Sequence, residues 1–153
     1  MQIKRKAFTF HNLLYMTKVC APDDWYTVAQ ALRDVVIIRG LYLNAPIIYT
    51  STPTTDDQNE YTVYVPVNVE LSVKPDMPFQ FMKELYLDDT FVFRLADLDE
   101  PGEAEAYLLL DTAAEAQGCT LKRPFYNVVL NVFDDVMLDI VAPIAPADNP
   151  EGN

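Results

Sequence analysis

Apolar positions run in two rhythms along this chain of 153 residues. Phe8-Thr9-Phe10 and Leu13 to Val19 are rich in strand formers. Pro22-Asp23-Asp24 then marks a helix entrance, because proline suits a first turn and carboxylates suit the positive end of the helix dipole. Trp25, Val28, Ala29, Leu32, Val35 and Val36 follow at spacings of three and four, which predicts an amphipathic helix. Gly40 sits where a left-handed C-cap is expected. Residues 47–50 read as a second strand, and the polar stretch 51–59, with Pro53, Asp56 and Asp57, as a hairpin loop. Residues 61–67 read as a third strand that ends near Pro66.

The second half repeats the scheme. Phe91-Val92-Phe93-Arg94-Leu95 is a strand. Asp99-Glu100-Pro101-Gly102-Glu103 is an acidic helix entrance, and 104–117 is a helix of strong formers closed by Gly118. Residues 125–132 form a strand, Asp134-Asp135 a turn, and 136–141 the last strand. Gly40 and Gly118 are 78 apart, as are Leu43 and Leu121, and Pro46 and Pro124. Order, spacing and punctuation repeat together, which is the signature of an internal duplication. The predicted fold is α+β: two tandem β-α-β-β repeats forming one antiparallel sheet with helices on one face. One domain is expected over 1–153. It divides into a first repeat at 7–70, a linker at 71–78 that carries Pro75 and Pro78, a second repeat at 79–145 and a flexible tail at 146–153.

Composition narrows the function. Half of the residues are hydrophobic, enough for a core without staples. Nine Tyr, eight Phe and one Trp make tyrosine the excess aromatic, and a buried tyrosine needs a partner for its hydroxyl. The formal charge of −12 repels phosphate backbones and anionic lipid heads and favours cationic partners, so neither nucleic acid nor membrane is an expected partner. Cys20 and Cys119 form no CxxC pair and no disulfide framework, which reads as a reducing, cytoplasmic setting. His11 is the only histidine; with two cysteines this excludes the usual zinc sites, and a structural role in a strand suits it. No signal peptide and no membrane-length apolar run is read. No Walker A, GxGxxG, GxSxG or calcium-loop pattern occurs, so neither a metal nor a cofactor is expected. The paired acids Asp23-Asp24, Asp56-Asp57, Asp88-Asp89 and Asp134-Asp135 sit at turns or strand ends, where aspartate is ordinary.

Two tandem strand–helix–strand–strand units, each closing its helix with glycine and ending in a Val/Ile-Pro-Val/Ile type of sequence, resemble the GyrI-like, or AraC-type effector-binding, domain. Its half-unit is the SHS2 module. The carriers are Gly40, Pro46, Pro66 and Val67, then Glu84-Leu85, Phe91-Val92-Phe93-Arg94, Gly118, Pro124 and Pro143-Ile144, spread over about residues 7 to 145. The resemblance implies two modules with strands side by side, helices on one face and, on the other, a cleft for amphipathic, often cationic small molecules. Aromatic rings and a buried carboxylate would line that cleft. Many members of that family attach the domain to a helix-turn-helix DNA reader; the length and charge of this chain lead instead to the expectation of a stand-alone member without a DNA-reading segment.

Strand alternation suggests the lining. Phe91, Phe93 and Leu95 should face the helices, which leaves Arg94 on the helix-free side. Tyr64 and Asp139 fall on corresponding faces. Tyr49 and Asn127 are repeat equivalents that interrupt apolar strands. The candidate ligand surface is therefore Tyr49, Tyr64, Glu84, Arg94, Asn127 and Asp139 on the helix-free face; alternatively Arg94 pairs with Asp139 or Glu84 on an open sheet. Trp25 reads as a core anchor. No nucleophile–base pair is recognisable. The reading is a non-catalytic domain that binds or sequesters a small amphipathic molecule; a protein-interaction module and a small hydrolase are the alternatives.

Overall fold

The computed structural model describes residues 3–54, 57–95, 103–132 and 135–146. The acidic segment 99–102, Asp56 of the first hairpin loop, Asp134 of the second turn and the tail beyond Pro146 lie outside the described residues. The elements are β1 (Ile3–Cys20), α1 (Trp25–Ile38), β2 (Ile48–Pro53), β3 (Asn59–Pro66), β4 (Gln80–Leu95), α2 (Glu103–Ala116), β5 (Tyr126–Val132) and β6 (Asp135–Pro143), with a single 3-10 turn at Pro22–Asp24 leading into α1.

All strand pairs are antiparallel and the sheet closes on itself in the order β1-β3-β2-β5-β6-β4. The expected single antiparallel sheet is present, and its closure into a ring is detail beyond that expectation. Closure comes from β1, whose residues 3–15 pair with β4 while 13–20 pair with β3. Long first strands make that possible. Phe8–Phe10 and Leu13–Val19, read above as two runs, are one strand passing through Asn12 at a φ of 56°. Likewise β4 starts at Gln80, well before the predicted start at Phe91. The ring's opposite seam is short: β2 meets β5 only at Ile48↔Val128 and Tyr49↔Asn127.

Both helices contribute to one core with one face of the sheet. Val28, Leu32 and Val36 of α1 and Ala106, Leu110 and Ala114 of α2 are at most 3% exposed and pack with Leu14, Val63, Val65, Phe91, Phe93, Leu95 and Phe125. The spacing of four along each helix places these residues on one stripe. Truncating Leu32 to alanine there should cost about 2–5 kcal/mol. The other face has its own smaller cluster, with one residue from each strand: Leu13, Ile48, Tyr64, Val92, Val128 and Val141.

The two helices end alike. The Gly40 N–H donates to the Ile37 carbonyl and the Leu41 N–H to that of Val36; the Gly118 N–H donates to Glu115 and the Cys119 N–H to Ala114. Both glycines have a φ of 71°. This is the Schellman arrangement, in which two otherwise orphaned carbonyls are satisfied by a residue in the left-handed region and the one after it.

Candidate functional site

The starts of the two helices flank one cleft beside the β2–β5 seam. Trp25 opens α1 and Glu103 opens α2, separated in sequence by the same offset of 78 that relates Tyr49 to Asn127. The site therefore sits where the two halves of the chain meet. Its cleft has a volume of about 820 Å³ and is lined chiefly by Trp25, Tyr49, Tyr61, Glu103, Tyr107 and Arg123.

Aromatic rings form the walls. Trp25 stacks on Tyr49 with centroids 4.3 Å apart, and Tyr61 tilts against Tyr49 at 6.2 Å. Tyr107 tilts against Phe125 at 4.8 Å. Arg123 covers the Phe125 ring at 3.9 Å and pairs with Asp111 through contacts of 3.1 and 2.7 Å, so its charge is already matched at the rim.

The polar centre is Glu103. The Tyr49 hydroxyl lies 3.2 Å from both carboxylate oxygens, and the Tyr107 hydroxyl 3.3 Å from one. Asn127, fully buried, supports this pair. Its Nδ2 donates to the Tyr49 carbonyl at 3.2 Å and to the Tyr107 hydroxyl at 2.8 Å. The Tyr107 hydroxyl also lies 3.0 Å from Asn127 Oδ1, so its single proton is shared between that amide oxygen and Glu103. Burial is the largest influence on all three titrating groups: it raises Glu103 above the ordinary glutamate range against the opposing tyrosine hydrogen bonds, and it raises Tyr49 and Tyr107, which the neighbouring carboxylate raises further. Both phenols therefore stay protonated and donate. Their distances exceed the 2.5–2.7 Å typical of a hydroxyl on a carboxylate. Among the described residues no basic side chain pairs with Glu103, so the carboxylate is only partly compensated.

The expected site residues separate into two groups. Tyr49 and Asn127 lie in this cleft, on the helix-bearing face, which corrects their placement on the helix-free face. Ile48, Tyr49 and Thr50 are all buried, at 0, 4 and 5% exposure. Where both sides of a strand are covered, alternation no longer tells the sides apart. Tyr64 does lie on the opposite face, between Tyr15 and Tyr126 at 5.6 and 6.1 Å; burial and its two phenol neighbours push its hydroxyl up to about 12. Arg94 and Asp139 face away from the helices and bind each other in a fork of 2.7 and 2.9 Å. Glu84 is exposed on β4 opposite His11. These four do not join Tyr49 and Asn127. Trp25, read as a core anchor, packs against the main core and is also a wall of the cleft.

A family model described as a domain of unknown function, DUF5085, matches residues 9–146. The chain belongs to that family. No curated protein matches it. Among solved structures, it is similar to EcmrR in a cryo-EM complex with DNA, with a TM-score of 0.72, 16% identity and 95% of this chain covered; it spans 58% of that chain's length. It is similar to SAV2435 bound to tetraphenylphosphonium, with a TM-score of 0.57, 14% identity and coverage of 95% of this chain and 94% of that one. It is also similar to a hydrolase from Listeria innocua, with a TM-score of 0.64, 10% identity and coverage of 94% and 92%. At these identities the likeness is one of fold alone.

Proposed function

We propose that this DUF5085 chain binds an amphipathic organic cation without transforming it, in the cleft between the two helix starts. The observation that carries the proposal is Glu103: a half-buried carboxylate ringed by Trp25, Tyr49, Tyr61 and Tyr107, held by long hydroxyl contacts and lacking a basic partner among the described residues. Aromatic faces attract a cation through their quadrupoles, by about 0.5–2 kcal/mol per ring as desolvation increases. The carboxylate supplies the charge that such a ligand lacks in an apolar environment. The acidity of the whole molecule, at −12, adds long-range attraction. The similarity in fold to a protein solved with tetraphenylphosphonium points the same way. Binding is favoured over hydrolysis because the groups around Glu103 are phenols held in their protonated form, and no histidine lies among the residues lining the cleft.

Tetraphenylphosphonium is the probe, titrated calorimetrically into wild type, Glu103→Gln and Tyr49→Phe. Glu103→Gln keeps the shape and an acceptor for the tyrosine hydroxyls but removes the charge, so affinity should drop at least about tenfold, or ~1.4 kcal/mol. Tyr49→Phe keeps the ring and should bind nearly as tightly as wild type. Equal affinity in wild type and Glu103→Gln would sink the proposal.

A further inference from the structure

A second cavity lies beside Trp25. It has a volume of about 340 Å³, and Trp25, Tyr26, Arg33, Ile47, Val129 and Asn131 are among its walls. Trp25 also lines the Glu103 cleft, so the two cavities share the indole as a wall. Their chemistry is opposite. The cleft holds a carboxylate without a basic partner; the second cavity holds a guanidinium without an acidic one. Among the described residues the other arginines are occupied: Arg5 pairs with Asp89, Arg94 with Asp139 and Arg123 with Asp111, while Arg39 covers the Phe79 ring. Arg33 has no ion pair, hydrogen bond or ring contact among them. Asp34 is its neighbour in sequence, but adjacent helical residues point apart, and Asp34 is engaged by Gln30 at 3.0 Å. The Asn131 amide, on the same wall, is likewise without a side-chain partner among the described residues.

An unmatched guanidinium on so acidic a protein has carboxylates in abundance, yet none is set against this one. Its fork of N–H donors suits a carboxylate bound through both oxygens. The Asn131 amide offers a further donor, and Trp25, Tyr26, Ile47 and Val129 offer rings and aliphatic surface to the remainder of a ligand. The volume lies at the small end of the range for small-molecule sites, about 300–1,000 Å³.

We propose that this cavity is a second ligand site, selective for a small apolar or aromatic monocarboxylate that is held by Arg33 against Trp25. The proposal does not depend on a cation occupying the Glu103 cleft.

The probes are phenylbutyrate and its neutral amide, phenylbutyramide, titrated calorimetrically while the emission of Trp25, the only tryptophan, is followed. The acid should bind saturably, shift Trp25 emission with the same midpoint, and bind at least tenfold more tightly than the amide. Arg33→Gln should reduce the acid to the affinity of the amide, and Arg33→Lys should restore part of the preference. Arg33 is exposed on α1, so both variants retain the fold. Glu103→Gln should leave acid binding unchanged. Absence of saturable acid binding, equal affinity for acid and amide, or no effect of Arg33→Gln overturns the proposal. Loss of acid binding in Glu103→Gln overturns it as well, because the acid would then occupy the other cleft.

Discussion

Glu103 carries two opposing influences. As the first residue of α2 it gains from the helix dipole and from two phenol donors, which favour the ionised form. Burial disfavours that form and outweighs them, so its pKa is raised. The consequence for stability has a definite sign. Between the unfolded and the raised folded pKa the native state binds more protons, so the contribution of Glu103 falls as pH rises through that window. Ligand binding runs the other way, because a cation selects the carboxylate. Cation affinity should rise with pH through a window above the ordinary glutamate range and then level off, while Glu103→Gln should show neither trend. Calorimetric titrations and melting curves across pH check both. The acidic segment around Glu103 reads in the sequence as an ordinary helix entrance, and two signals in it point further. Glu103 and Tyr107 stand four apart on one helix face, and the repeat offset places Glu103 where the first half has Trp25.

The helices and their caps were the most legible elements. Spacings of three and four in the first helix and strong helix formers in the second, each followed by glycine, predicted both C-termini, and the bonds of each glycine and of the residue after it repeat at the same offset. A Cβ built on Gly40 or Gly118 meets nothing within 4 Å, so substitution costs only the left-handed backbone. Gly40→Ala and Gly118→Ala should each destabilise by roughly 1 kcal/mol. No backbone hydrogen bond among the described residues links the two caps, so the double variant should lose about the sum, to within ~0.5 kcal/mol. Chemical denaturation of the three variants measures this. Strands were less legible. Strand–turn punctuation located β2, β3, β5 and β6, but β4 was shortened because Lys83, Glu84, Asp88 and Asp89 interrupt its apolar pattern. Those residues pair by backbone, or stand beside residues that do, along the length of β1, and a backbone ladder leaves little trace in side-chain polarity.

At the scale of the molecule, charge and closure matter. A net charge of −12 opposes duplex DNA. This chain should give no gel shift at moderate salt, even though it is similar in fold to part of a protein solved with DNA; a shift that weakens as salt is raised would contradict this expectation. None of the helices among the described residues is long and apolar enough to cross a membrane. Closure of the sheet brings β2 against β5, and only that contact places Tyr49 beside Asn127 and both beneath the helix starts.

Sequence alone determined what local chemistry and repetition can encode: the α+β class, the order of the elements, the glycine caps, the acidic surface and the tyrosine excess that needs polar partners. It also brought out Tyr49 and Asn127 as a matched pair of oddities. The tertiary structure decided which face they occupy. Alternation along a strand separates two sides only when one is wet, and at Ile48-Tyr49-Thr50 neither is. The choice among twenty-three acidic residues was likewise tertiary. Glu103 differs from the others through what closes over it, since burial and the directions of the Tyr49 and Tyr107 hydroxyls arise only when the starts of two helices from opposite halves of the chain are brought over the seam.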